Sequence, residues 1–179
     1  MSSHGDPINE IQLPLEVATL NLLTNMLRNW TMPGDSTKYS KVIHVGHSFG
    51  SIQSYTLTVL YPSVSDGLVL TGFSQNSTFA SYFVLGGNFI DANTVSALSS
   101  YPTGYLAVGD VTGVQINFFG PGDFDPNLLQ LAFSTGEPVT PGELLTLGGL
   151  TGLPNLFKGP VLVITGGMGC YHQDLRESY

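Results

Sequence analysis

The chain has 179 residues, 42% hydrophobic and 10% charged, long enough to bury one core and too apolar and aperiodic for disorder, collagen or a coiled coil. Lys+Arg number 5 against 13 Asp+Glu, and the formal net charge of −8 would repel nucleic-acid phosphates and anionic lipid. One cysteine, Cys170, excludes an internal disulfide and a cysteine-rich zinc site.

Met1 to Pro7 is polar and carries His4 and Asp6 where an export signal would have a basic start and an apolar run. The cytoplasm is therefore the default expectation for the chain as given. No apolar run reaches the roughly 18–20 residues of a spanning helix, because Gly, Pro, Ser or Thr interrupts each one. Neither a membrane nor a nucleic-acid partner is expected. Asn29-Trp30-Thr31 and Asn76-Ser77-Thr78 fit the glycosylation triplet, which counts only in the secretory pathway.

Val17, Leu20, Leu23, Leu27 and Trp30 recur at spacings of three and four, predicting an amphipathic helix over 14–30. Pro14 and Glu16 at its start and Arg28 near its end match the helix dipole. Pro33-Gly34-Asp35-Ser36 reads as a turn. Val42 to Val45, Gly67 to Thr71 and Val161 to Thr165 read as short buried strands. Residues 51–61 are rich in Thr and Val, which favour strand, yet the motif before them requires a helix. Apolar strands separated by helical stretches predict parallel βαβ units.

Between the second and third strands, residues 73–157 hold 12 of the 19 aromatic residues and no Lys, Arg or His. Gly86-Gly87, Gly120-Pro121-Gly122 and Gly148-Gly149 predict short helical pieces joined by turns. With no cation there, a bound ligand should be neutral and apolar.

Gly46-His47-Ser48-Phe49-Gly50 fits G-x-S-x-G directly after a strand and before a helix-length segment. That pattern makes a sharp strand-to-helix turn that pushes the serine hydroxyl outward. Ser48 is the candidate nucleophile, at a strained, exposed apex that both flanking glycines are expected to permit.

Around this motif the sequence resembles the α/β-hydrolase superfamily, specifically a group of fungal hydrolases with a helical cap. The resembling segments are Lys41 to Ser51, Tyr61-Pro62, Ser65-Asp66-Gly67, Leu70 to Ser74, Pro138-Val139-Thr140, Gly142 to Thr146, and Gly159 to Gly166. The resemblance runs from about Asp6 to Met168. It implies an α/β fold, a partial α/β-hydrolase core at 1–72 and 158–179 with a helical cap at 73–157 over Ser48. It further implies a serine hydrolase of a neutral ester, lactone or thioester, in a fungal secondary-metabolic setting, with the Phe49 N–H as one oxyanion donor. On that resemblance, full-length relatives could be secreted.

By the same resemblance, the chain is truncated at both ends. The strands and the second oxyanion loop that precede the first helix in the family have no counterpart, and Gly169 stands where the catalytic aspartate is expected. The triad histidine would lie further on. A truncated, inactive relic or gene-model fragment that at most binds a hydrophobic small molecule is the alternative. The strand at 41–45 would then be an exposed edge inviting self-association.

Other residues offer little replacement. His44, inside a strand, is expected to be a hydrogen-bonded core histidine, and His47 to pack or orient the turn. His172 and Asp174 are weak candidates for a substitute pair, because residues two apart point in different directions. The histidines show no metal-ligand spacing with carboxylates, and no phosphate loop is present, so neither a metal nor a cofactor is expected. Asp123-Phe124-Asp125 resembles a calcium loop faintly and reads better as a solvated turn.

Overall fold

A computed structural model describes residues 4–35, 37–76, 80–148 and 150–166, and the chain is an α/β protein built as two compact units. One unit comprises Ile11–Gln75 and Leu145–Thr165; the other comprises the described parts of Met1–Glu10, Asn76–Leu144 and Gly166–Tyr179.

In the first unit, α1 (Leu13–Arg28) starts with proline in its first turn and ends with Arg28, as the sequence predicts. β1 (Ile43–His47), α2 (Phe49–Leu60) and β2 (Gly67–Thr71) follow, and β5 (Val161–Ile164) completes a parallel sheet of order β1-β2-β5. The core joins Leu13 and Val17 of α1 to Leu57 of α2 and to Val64, with Leu20, Phe49 and Ile52 packed around them. Leu68 and Leu70 of β2 are also buried.

Residues 49–60 form a helix despite their β-branched content, because small residues allow close packing. Ser51, Thr56 and Thr58 are fully buried, and Ser51 and Thr58 hydrogen-bond to backbone carbonyls. The helix therefore owes its place to tertiary packing rather than to propensity. At the opposite end of the sheet, Arg28 donates to the Val64 carbonyl and pairs with Asp66, whose carboxylate accepts the Val42 N–H at 2.8 Å. That N–H, followed by the Arg28 guanidinium, holds the Asp66 pKa below the usual carboxylate value.

The strands pair as expected, but the expected burial is wrong for two of them. On β1, Ile43 and Val45 are 59% and 71% exposed, and all four residues of β5 are exposed. Only one face of β1 and β2 is packed: His44 is bonded to Thr24 of α1, and Gly46 lies against the first turn of α2. Exposed and buried residues alternate along β1, as a strand packed on one face requires. Among the described residues β1 is an edge strand. The Val42 carbonyl and the Ser48 N–H bond toward β2, so the main-chain groups of Ile43, Val45 and His47 point to the open side.

The second unit is less uniformly helical than expected. It contains α3 (Ala80–Gly86), β3 (Phe89–Asp91), two single 3₁₀ turns, β4 (Leu106–Val108), α4 (Val111–Phe118), α5 (Pro126–Ser134) and the start of α6 (Pro141–Thr146). β3 and β4 pair antiparallel, and Val139 bridges to Leu106. Asp110 caps α4 by accepting the Gly113 N–H, and Asp125 caps α5 by accepting the Asn127 N–H. Asp125 of the faint calcium-like triplet is thus a helix cap. The amino-terminal segment belongs to this unit: Tyr105 donates its hydroxyl to the Gly5 carbonyl, and Gly142 N–H donates to the Pro7 carbonyl.

Candidate functional site

The site grows from the junction of β1 and α2. Ser48 sits between them with φ 50° and ψ −116°, a backbone conformation in which a residue with a Cβ is strained. Its side chain is exposed, and the hydroxyl has no hydrogen-bond partner among the described residues. The turn is therefore as tight and as open as the motif predicts.

The two glycines prove unequal. A Cβ on Gly46 would come within 2.6 Å of the Ser51 nitrogen and nearer still to the Gly50 carbonyl, so only glycine lets β1 run this close beneath α2. A Cβ on Gly50 would meet nothing within 4 Å. The expectation that both glycines are required is corrected: the close approach constrains Gly46 alone.

Thr71, at the end of β2, fastens the turn from the neighbouring strand. Its carbonyl accepts the Ser48 N–H at 2.9 Å and the Ser51 hydroxyl at 2.8 Å. Its own hydroxyl donates to the Gly46 carbonyl at 3.1 Å and so accepts from His47 Nδ1 at 2.8 Å. Sequence reasoning missed this residue. Its role depends on the parallel register that sets His47 beside Thr71, which no local pattern announces.

Ser48 precedes the first turn of α2, where backbone N–H groups have no intrahelical acceptor. The N–H groups of Phe49 and Gly50 make no hydrogen bond among the described residues, whereas Ser51 and Ile52 both donate to the Ser48 carbonyl. An oxygen developing negative charge beside Ser48 could therefore be received by the Phe49 amide, with the positive end of the helix dipole behind it.

The described histidines are engaged elsewhere. His44 is buried, with Nδ1 2.8 Å from the Ser65 hydroxyl and Nε2 2.9 Å from the Thr24 hydroxyl. Ser65 Oγ also reaches the Gly67 carbonyl and Thr24 Oγ1 the Leu20 carbonyl, so a neutral ring donates to one of the two hydroxyls and accepts from the other. Burial, reinforced by the positive charge of Arg28, lowers the His44 pKa below its ordinary 6.5. His47 is tied to Thr71, and no hydrogen bond joins it to Ser48. His172 and Asp174 lie outside the described residues, as do Gly169 and Cys170.

The lowered His44 pKa has a definite sign in stability. The folded state favours the neutral ring, so its contribution is complete above about pH 6.5 and is lost as the unfolded chain protonates below it. The melting temperature should fall between about pH 7.5 and pH 5, and the fall should be smaller in His44→Gln. An equal fall in the two proteins would remove His44 as its source.

Among the described residues, no group of three His, Cys, Asp or Glu is placed to hold a metal ion, and no helix is long and apolar enough to cross a membrane. In comparisons with known proteins, the sequence matches no family model and no curated protein.

Proposed function

We propose that Ser48 is the nucleophile of a serine hydrolase with a partial α/β-hydrolase fold, acting on a neutral, apolar ester, lactone or thioester. The observation that carries this reading is the positive φ of Ser48 at the apex between β1 and α2, with its hydroxyl unpartnered and the Phe49 amide open beside it. Strain of this kind clusters at functional sites, and in a strand-to-helix turn it aims the side chain outward.

Ser48 Oγ would attack the acyl carbon while its proton passes to a base. The carbonyl oxygen takes the negative charge beside Phe49 N–H, the alkoxide or thiolate leaves with a proton, and water then frees the acid and restores the serine. Residues 73–157 hold no Lys, Arg or His, so that stretch of the sequence offers an anionic acyl group no cationic partner.

A second reading, an inactive relic that binds a hydrophobic small molecule, draws support from His44 and His47. Both rings are committed to other partners, and neither bonds Ser48. The deciding assay is hydrolysis of p-nitrophenyl butyrate by the purified chain beside Ser48→Ala, with the singly charged p-nitrophenyl succinate as the anionic comparison. Release of nitrophenol that depends on Ser48 and favours the neutral ester supports the hydrolase. Equal rates in the two proteins would leave the relic reading.

A further inference from the structure

The second unit contains a cavity of about 430 Å³ that the hydrolase reading does not use. Its walls come from α3, β3, β4, the 3₁₀ turn at Ser96–Leu98 with Val95 before it, α4, α5 and the strand-like segment at Val139, all within that unit. The volume falls within the range of roughly 300–1,000 Å³ typical of small-molecule sites.

The walls are held in place without a ligand. Phe83 stands edge-on to Phe118 at 5.7 Å and tilted to Phe89 at 6.4 Å, making one aromatic wall from three elements. Asn117, buried on α4, donates to the Phe83 carbonyl at 3.1 Å and ties α4 to α3. Gly113 lets α4 lie against β4, since a Cβ there would be 2.7 Å from Val108 Cγ1. A site whose shape is fixed beforehand loses less ordering entropy when it binds.

The lining also selects by charge. Phe83, Phe89, Phe118 and Phe133 contribute rings, and the one ionisable lining group is the exposed Glu137, whose carboxylate accepts from the Tyr101 hydroxyl at 3.5 Å. A carboxylate or phosphate ligand would meet that negative charge and no cation. A neutral ring with a hydroxyl would bury its apolar surface and could donate to Glu137 or Ser134.

We infer that this cavity is a binding site for an uncharged, ring-containing small molecule, formed by the second unit alone and independent of Ser48. Because no lining residue comes from the unit that carries Ser48, occupancy is a property distinct from acyl transfer.

The test titrates the 179-residue chain at pH 7 with 2-naphthol and with its anionic counterpart 2-naphthoate, by calorimetry. Saturable binding of one 2-naphthol per chain, at least tenfold tighter than 2-naphthoate, is expected. Ala132→Trp on α5 and Ala97→Phe, an exposed lining residue, should each weaken it at least tenfold, with folding checked by circular dichroism. Ser48→Ala should bind as the parent does, even if Ser48 proves to be no nucleophile. Nuclear Overhauser effects from bound 2-naphthol to the Phe83 and Phe118 rings would locate it without any substitution. Absent or unsaturable binding, equal or tighter 2-naphthoate binding, unchanged affinity in both filled variants, or contacts elsewhere would each overturn the inference.

Discussion

Assayed as the 179-residue chain, the protein should turn over p-nitrophenyl butyrate roughly 10⁴ to 10⁷-fold more slowly than a serine hydrolase with a complete triad and two oxyanion donors. A serine hydroxyl is a weak nucleophile until a positioned base takes its proton, and general-base catalysis contributes roughly 10² to 10⁴-fold. One oxyanion donor is worth about another 10² to 10³-fold. At Ser48 the described residues supply the helix-start amide of Phe49 but no histidine bonded to the hydroxyl. The residual rate should still vanish in Ser48→Ala, because the turn presents that hydroxyl to an activated ester. A rate within about a hundredfold of a complete enzyme would mean that a base reaches Ser48, and substituting His172 would then show whether it is that base.

Gly46→Ala should cost about 3 kcal/mol or more and lower the urea midpoint sharply, whereas Gly50→Ala should be neutral or slightly stabilising. The added methyl at position 46 would collide with backbone atoms of Gly50 and Ser51, which cannot rotate away as a side chain could. β1 and α2 would have to separate, and the Thr71 hydrogen bonds to Ser48, Ser51 and Gly46 would go with them. Against a typical domain stability of roughly 5–15 kcal/mol, that loss is a large fraction. At position 50 the methyl points into open space on a helix, where alanine is favoured over glycine by about 0.5–1 kcal/mol. Equal denaturation midpoints for the two variants would contradict the packing described at the turn.

Much of the first unit was legible because its signals are local. The three-and-four spacing over 14–30 gave α1, and short β-branched runs gave all three parallel strands to within two residues. The motif, rather than propensity, predicted the helix that follows Ser48. Burial was less legible: an apolar run such as Val161 to Ile164 reads as buried, but its exposure depends on which helices reach it. The β3–β4 pair was missed because each strand has three residues, too few for alternation to register, and Asp91 pairs with Leu106 across fifteen positions. At the site, Ser48 was read from the pattern, Phe49 from the family resemblance and His44 from its place inside a strand. Thr71 and the inequality of Gly46 and Gly50 arise from how β1, β2 and α2 stack, which one-dimensional spacing does not encode.

On the proposed reading the turn, and not merely a surface hydroxyl, makes Ser48 reactive. The most direct measurement is peptide mapping by mass spectrometry after the chain is treated with a fluorophosphonate, once in native buffer and once unfolded in urea. With 17 serines in the sequence, selectivity is itself informative. A slowly formed adduct on Ser48 alone is expected, present in the native chain and absent in urea. Adducts scattered over other serines, the same labelling in both conditions, or none on native Ser48 would contradict it.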